Sequence, residues 1–168
     1  MVSDEKLREG HLVFYAQDVD EIDQELDGFL ELSGARCALL VDRSGHLVTR
    51  RGESMDGCLE SVAALAAGSF SATREMARLL GEGEFCTLFH QGSRDSIQVS
   101  QVGERSLFVI VFDDRSNLGL VRFYAEESVG RLQEVFAAIT MRGEARGPDQ
   151  GLSEDFSESA SAALDELF

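Results

Sequence analysis

The residues best able to do chemistry in this chain are three histidines, three cysteines and a surplus of carboxylates, and none is spaced for a reaction. His11, His46 and His90 have no metal-ligand spacing with one another or with Cys37, Cys58 and Cys86. An odd number of cysteines without a CxxC pair fits reduced thiols, and Cys37 and Cys86 are expected in the cores of strands. The adjacent acids Asp113 and Asp114 could bind Mg²⁺ or act as an acid and a base, but at a strand-to-helix junction they read better as caps. No GxxxxGK[ST] or GxGxxG loop offers to cradle a phosphate, and no GxSxG elbow offers a nucleophile. The sequence therefore predicts no active site of its own, no cofactor and no metal.

Charge and length bound the partners. The 168 residues are one typical domain plus an appendage, and 31 acids against 15 bases give a formal charge of −16. That balance argues against nucleic acid and anionic membranes and favours a basic partner surface. The N-terminal MVSDEKLREG is charged, and no apolar run approaches the ~20 residues that span a bilayer, so no signal peptide or membrane helix is expected and a cytoplasmic location is predicted.

The element on which any function must rest is residues 58–80. At 3.6 residues per turn Leu59, Val62, Ala63, Ala66, Phe70, Thr73, Ala77 and Leu80 make one apolar stripe, as a helix lying on a sheet requires. Ser61, Ala64, Gly68, Ser71, Ala72, Glu75 and Leu79 make the other, and nothing from Val62 to Thr73 is charged. Small neutral residues on an outer face imply either a second body approaching the backbone or a helix buried within one domain. Asp56 is the expected N-cap and Gly81 the left-handed C-terminal residue.

Around that helix the remaining elements follow in order. Residues 12–15 fit a strand or the lead-in to a helix. Residues 18–32 form an amphipathic helix with Val19, Ile22, Leu26, Phe29 and Leu30 inside and a solvated acidic face outside. Residues 37–41 and 46–50 are a hairpin about Asp42-Arg-Ser-Gly45. Residues 85–91, 96–102 and 106–112 are three strands joined by short turns, the last, LFVIVF, apolar on both faces and therefore central. A final helix spans residues 118–140, capped by Ser116 or Asp114. This puts a domain at residues 1–141, a glycine-containing linker at 142–152 with the only proline, and an acidic tail at 153–168. In the tail Phe156, Leu164, Leu167 and Phe168 recur at helical spacing, which suits a helix that forms when it docks, the other reading being a disordered solubilising tail.

The order of elements resembles the Roadblock/dynein light chain family, and within it the bacterial MglB type. The resemblance is carried by LLVDRSGHLV from Leu39, AAGS from Ala66, GEF from Gly83, FDDRSNLGLVR from Phe112 and the ending LDELF from Leu164, and its main part covers residues 35–136. It implies an α+β fold: a three-layer α/β/α sandwich on a five-stranded antiparallel sheet in order 2-1-5-4-3, with elements αββαβββα and a C-terminal tail helix. It also implies a homodimer joined through the third strands and central helices, here Leu65, Met76, Phe85, Cys86, Thr87 and Leu88. The two outer stripes would form one platform, Ala64, Ala67, Gly68, Ser71, Ala72 and Glu75, for a Ras-like small GTPase in its GTP-bound state. MglB-type dimers take one GTPase and accelerate its hydrolysis without donating an arginine, in gliding motility and cell polarity, which extends the expected location to a cell pole. Arg74 and Glu75 depart from the family pattern, where small residues are usual. Two other readings are a non-catalytic scaffold of the dynein light chain kind and a PAS- or GAF-like sensor, the latter disfavoured because the bulky 107–112 run and the small-residue helix leave little room for a ligand.

Overall fold

A computed structural model of the chain describes residues 14–146. In chain order it contains α1 (Ala16–Ser33), β1 (Cys37–Asp42), β2 (Leu47–Gly52), α2 (Leu59–Leu80), β3 (Thr87–Gln91), β4 (Ser96–Val102), β5 (Ser106–Phe112) and α3 (Leu118–Arg146). The strands form one antiparallel sheet in the order β2-β1-β5-β4-β3, as the family resemblance implies.

Burial explains the layering. Every residue of β5 is buried, so the sheet must be covered on both faces. Successive strand residues point to opposite faces, and the odd-numbered set Cys37, Leu39, Val41, Leu107, Val109 and Val111 packs with Leu59, Ala63, Ala66, Ala67 and Phe70 of α2. On the other face Phe108 meets Phe29 of α1 edge-on at 5.0 Å. Ser128 of α3 donates to Glu25 of α1 at 2.8 Å, and Val121, Ala125 and Leu132 are buried. The first part of α3, to Phe136, belongs to the compact unit that holds the sheet, and from Ala137 the helix continues through Arg146.

The acidic face of α1 does more than meet solvent. Asp27 holds Arg51 of β2 at 2.7 Å, and Asp23 accepts a hydrogen bond from Thr49 at 2.5 Å, so the helix is pinned to the edge strand by charge as well as by packing. Among residues 12–15, Tyr15 is the N-cap of α1 and its N–H is held by the Asp18 carboxylate.

Several expected boundaries move. The N-cap of α2 is Cys58, not Asp56, because a turn closed by Cys58 N–H on the Met55 carbonyl delays the helix. Asn117, not Ser116 or Asp114, caps α3: its Oδ1 accepts from Leu120 N–H at 2.9 Å, while the Ser116 hydroxyl donates to the Ser33 carbonyl. The same helix continues to Arg146, beyond its expected end at residue 140. Gly81 has the left-handed conformation its position predicts, with φ of 72°. Residues 153–168, including Phe156, Leu164, Leu167 and Phe168, lie outside the described residues.

Candidate functional site

The small-residue helix α2 exposes the stripe expected of it, with two corrections. Ser61, Ala64, Gly68, Ser71, Ala72 and Glu75 are exposed, and beside them stand Leu65, Met76 and Leu79, with Leu65 71% exposed. Ala67 is not on this surface. It is 5% exposed and belongs to the core, since spacings of four and three residues place it on the line Ala63, Ala67, Phe70 that faces the sheet. Leu80, assigned to the buried stripe, is 72% exposed, at the last residue of the helix beside its Gly81 cap. Gly68 has open space where a side chain would go. Ala64 is more confined. Gly45, at φ of 93°, seats the β1–β2 turn against it so closely that a Cβ on Gly45 would lie 3.0 Å from the Ala64 Cα.

The sheet edge nearest in kind to this surface is β3. Of the two edge strands, β2 carries Arg50 and Arg51, which discourage pairing with another chain, whereas β3 reads Thr-Leu-Phe-His-Gln without a formal charge. Its hydrogen-bond parity follows from the register. Cys86 accepts from Gln101 N–H and Gly92 donates to the Asp95 carbonyl, so in an antiparallel ladder even-numbered residues bond to β4. Thr87, Phe89 and Gln91 therefore turn their N–H and C=O groups outward. Phe85 is half-buried and Cys86 exposed, and both precede the strand, so Cys86 is not the core residue expected of it. Cys37 is, and burial pushes its thiol up to about 11, leaving it protonated at neutral pH.

One flank of α2 borders a recess of about 510 Å³. Arg43, Ser71, Arg74, Glu75, Arg78 and the stretch after the helix, including Glu82 and Glu84, line it. The β1–β2 turn is fixed there by Arg43, whose N–H donates to the Arg105 carbonyl and whose guanidinium donates to the Glu104 carbonyl at 3.3 Å. Arg78 is engaged by Glu75 through contacts of 2.5 to 3.1 Å, which hold the Glu75 carboxyl below its ordinary range. Arg74 is half-buried and, among the described residues, is the one arginine of that exposure without a hydrogen bond or ion pair.

A second cluster ties the opposite sheet ends. Arg36 reaches Glu53 at 2.9 Å and Asp95 at 2.6 Å, and Arg115 reaches Glu53 at 2.7 Å and Asp113 at 3.0 Å. Hydrogen bonds from Arg36 and then Arg115 depress the Glu53 carboxyl, and one from Arg115 depresses Asp113. With each carboxylate neutralised by an arginine, the cluster reads as a clamp joining the ends of β1, β2, β4 and β5. Apart from the one between Asp113 and Arg115, which are two residues apart, its hydrogen bonds join residues 17 to 62 positions apart along the chain, so the sequence does not signal the cluster as a whole. Among the described residues no three His, Cys, Asp or Glu side chains converge on a metal position, and no helix is long and apolar enough to cross a membrane.

Comparison with known proteins agrees with the fold. Residues 21–112 match the Roadblock/LC7 domain. Among solved structures, MglB of Myxococcus xanthus is 34% identical, covers 76% of this chain and 96% of its own, and superposes with a TM-score of 0.71. The gliding protein MglB of Thermus thermophilus is 33% identical with the same coverages and a TM-score of 0.71. An MglB described with a tetrameric arrangement is 32% identical with a TM-score of 0.72 over the same shares. No curated protein sequence matches the chain.

Proposed function

The chain belongs to the Roadblock/LC7 family, and from that premise we propose that it is a homodimeric, MglB-like regulator that binds a Ras-like GTPase in its GTP-bound state and stimulates hydrolysis. The observation that carries the reading is the pairing of two unfinished surfaces: the outward polar groups of an uncharged β3 edge and an exposed, small-residue α2 face. Two copies joined along β3 would extend the sheet across both protomers and cover Leu65, Met76 and Leu79. The stripe of Ala64, Gly68, Ser71, Ala72 and Glu75 would remain outward on each copy as the GTPase platform.

Stimulation on this reading is positional. Intrinsic Ras-type hydrolysis is slow because the groups that orient water and stabilise charge are not held in place, and a supplied arginine is worth ~10³–10⁵ in rate. A partner that fixes the GTPase's own groups recovers part of that factor without a finger. Arg78, tied into Glu75, is poorly placed to be one. The test is GTP hydrolysis by the Ras-like GTPase of the same genome with and without this protein. Faster hydrolysis supports a regulator, while binding without acceleration supports the scaffold reading.

A further inference from the structure

Apart from Glu75, which is tied to Arg78, the platform is small and uncharged, and such a surface gives close approach but little discrimination between partners. Selection then falls to its borders. On one border the recess beside α2 brings three arginines, Arg43, Arg74 and Arg78, together with three glutamates, Glu75, Glu82 and Glu84. The states of the arginines differ. Arg78 is neutralised by Glu75, and Arg43 donates to a backbone carbonyl but pairs with no carboxylate among the described residues. Arg74 is unpaired although Glu82 and Glu84 line the same recess and are exposed. Partial burial of a guanidinium without an anion is unfavourable, and it becomes favourable only when an anion arrives. Beside it a narrow cleft is lined by Arg43, Arg74 and Gln101, and the Gln101 Oε1 is a buried acceptor with no partner. Arg43 is thus held by a neutral carbonyl, while Arg74 carries no hydrogen bond among the described residues and its donors stay open.

We propose that Arg74, with Arg43 beside it, is the specificity determinant of the platform and receives an acidic side chain of the GTPase. This rests on the reading that α2 is the GTPase platform. A carboxylate suits the pair because both arginines line one recess, Arg74 from the helix and Arg43 from the tied turn, and guanidinium–carboxylate hydrogen bonds are short and directional. Arg74 acts on recognition and not on the reaction, so its removal costs affinity and leaves the saturated rate alone.

The test measures the affinity of full-length protein for the same-genome GTPase loaded with a non-hydrolysable GTP analogue. Arg74→Ala should weaken binding about 10-fold and Arg74→Glu about 100-fold, a smaller loss than for a fully buried charge pair because Arg74 is only half-buried. Arg74→Gln, the gentler change, should fall near Arg74→Ala with unchanged circular dichroism, which separates recognition from folding. An Asp or Glu on the GTPase changed to Arg should restore binding to Arg74→Glu. Gly68→Arg serves as the control for the platform itself, since open space at Gly68 lets the new side chain project outward. If Gly68→Arg abolishes binding while Arg74→Glu binds as wild type, the proposal fails and the platform stands. Should neither change matter, both readings fail. A change of oligomeric state on Arg74→Glu with affinity per dimer intact would assign the recess to a second copy and also overturn the proposal.

Discussion

Replacing Thr87 with proline should weaken self-association without unfolding the domain, and the reason lies in strand parity. In the β3–β4 ladder the even positions Cys86, Leu88, His90 and Gly92 face β4, as the Gln101-to-Cys86 and Gly92-to-Asp95 hydrogen bonds establish. Thr87 is odd, so its N–H points to the open edge, and proline there removes a donor that the monomer does not use. A two-fold axis makes the loss double, because each copy donates to the other. At about 0.5–1.5 kcal/mol per net hydrogen bond the change is about 1–3 kcal/mol, or about 5- to 150-fold in the dimer dissociation constant. Leu88→Pro is the contrasting variant. It removes a donor to β4 and should destabilise the hairpin within each monomer. Sedimentation equilibrium of the three proteins over a concentration series, with circular dichroism on each, gives both quantities. A folded Thr87→Pro variant with the wild-type dissociation constant, or a wild-type protein that is monomeric at micromolar concentration, would refute the parity argument and the proposed interface together.

Two further outcomes follow from the charge clamp and the close-packed turn. Glu53 and Asp113 have folded-state values held below the ordinary carboxylate range by Arg36 and Arg115, so their contribution to stability is present above the unfolded carboxylate value near pH 4 and is lost as pH falls through the lower, folded values. Melting temperature should therefore be flat from pH 7 to about 5 and fall below about 4, and Arg36→Gln should make that fall shallower when the two proteins are melted in parallel. Gly45→Ala should destabilise by about 1–2 kcal/mol, a melting shift of roughly 2–8 °C, because a side chain at a positive φ meets the α2 backbone at Ala64.

Much of the architecture can be read in the sequence because its period is clean. The 3.6-residue spacing of Ile22, Leu26 and Phe29 and the two-faced apolar run of β5 leave little choice of element type, and both are buried as their patterns require. Strand order is different in kind. It depends on contacts between segments far apart in the chain, and the family resemblance, not the residue pattern, implied it. Within α2 the difficulty is resolution: Ala64 and Ala67 are identical in chemistry and three residues apart, yet one is exposed and one is core, because a helix on a sheet buries more than a single line of positions. Asn117 in place of Ser116 is a one-residue choice among good capping residues that only the backbone decides. The Arg36 clamp and the Arg74 recess were illegible for a simpler reason. Each assembles side chains from turns and strand ends, and an isolated arginine in a sequence says nothing about whether a carboxylate reaches it.

The central claim, a regulator that works by positioning and not by donating an arginine, is met most directly by single-turnover GTP hydrolysis under saturating regulator. The same-genome GTPase, loaded with GTP, should hydrolyse it faster with wild-type protein, and Arg74→Ala and Arg78→Ala should reach the same saturated rate at higher concentrations of regulator. A loss of ~10³ in the saturated rate with binding retained would instead identify an arginine finger, and no acceleration at all by the wild-type dimer would contradict the account.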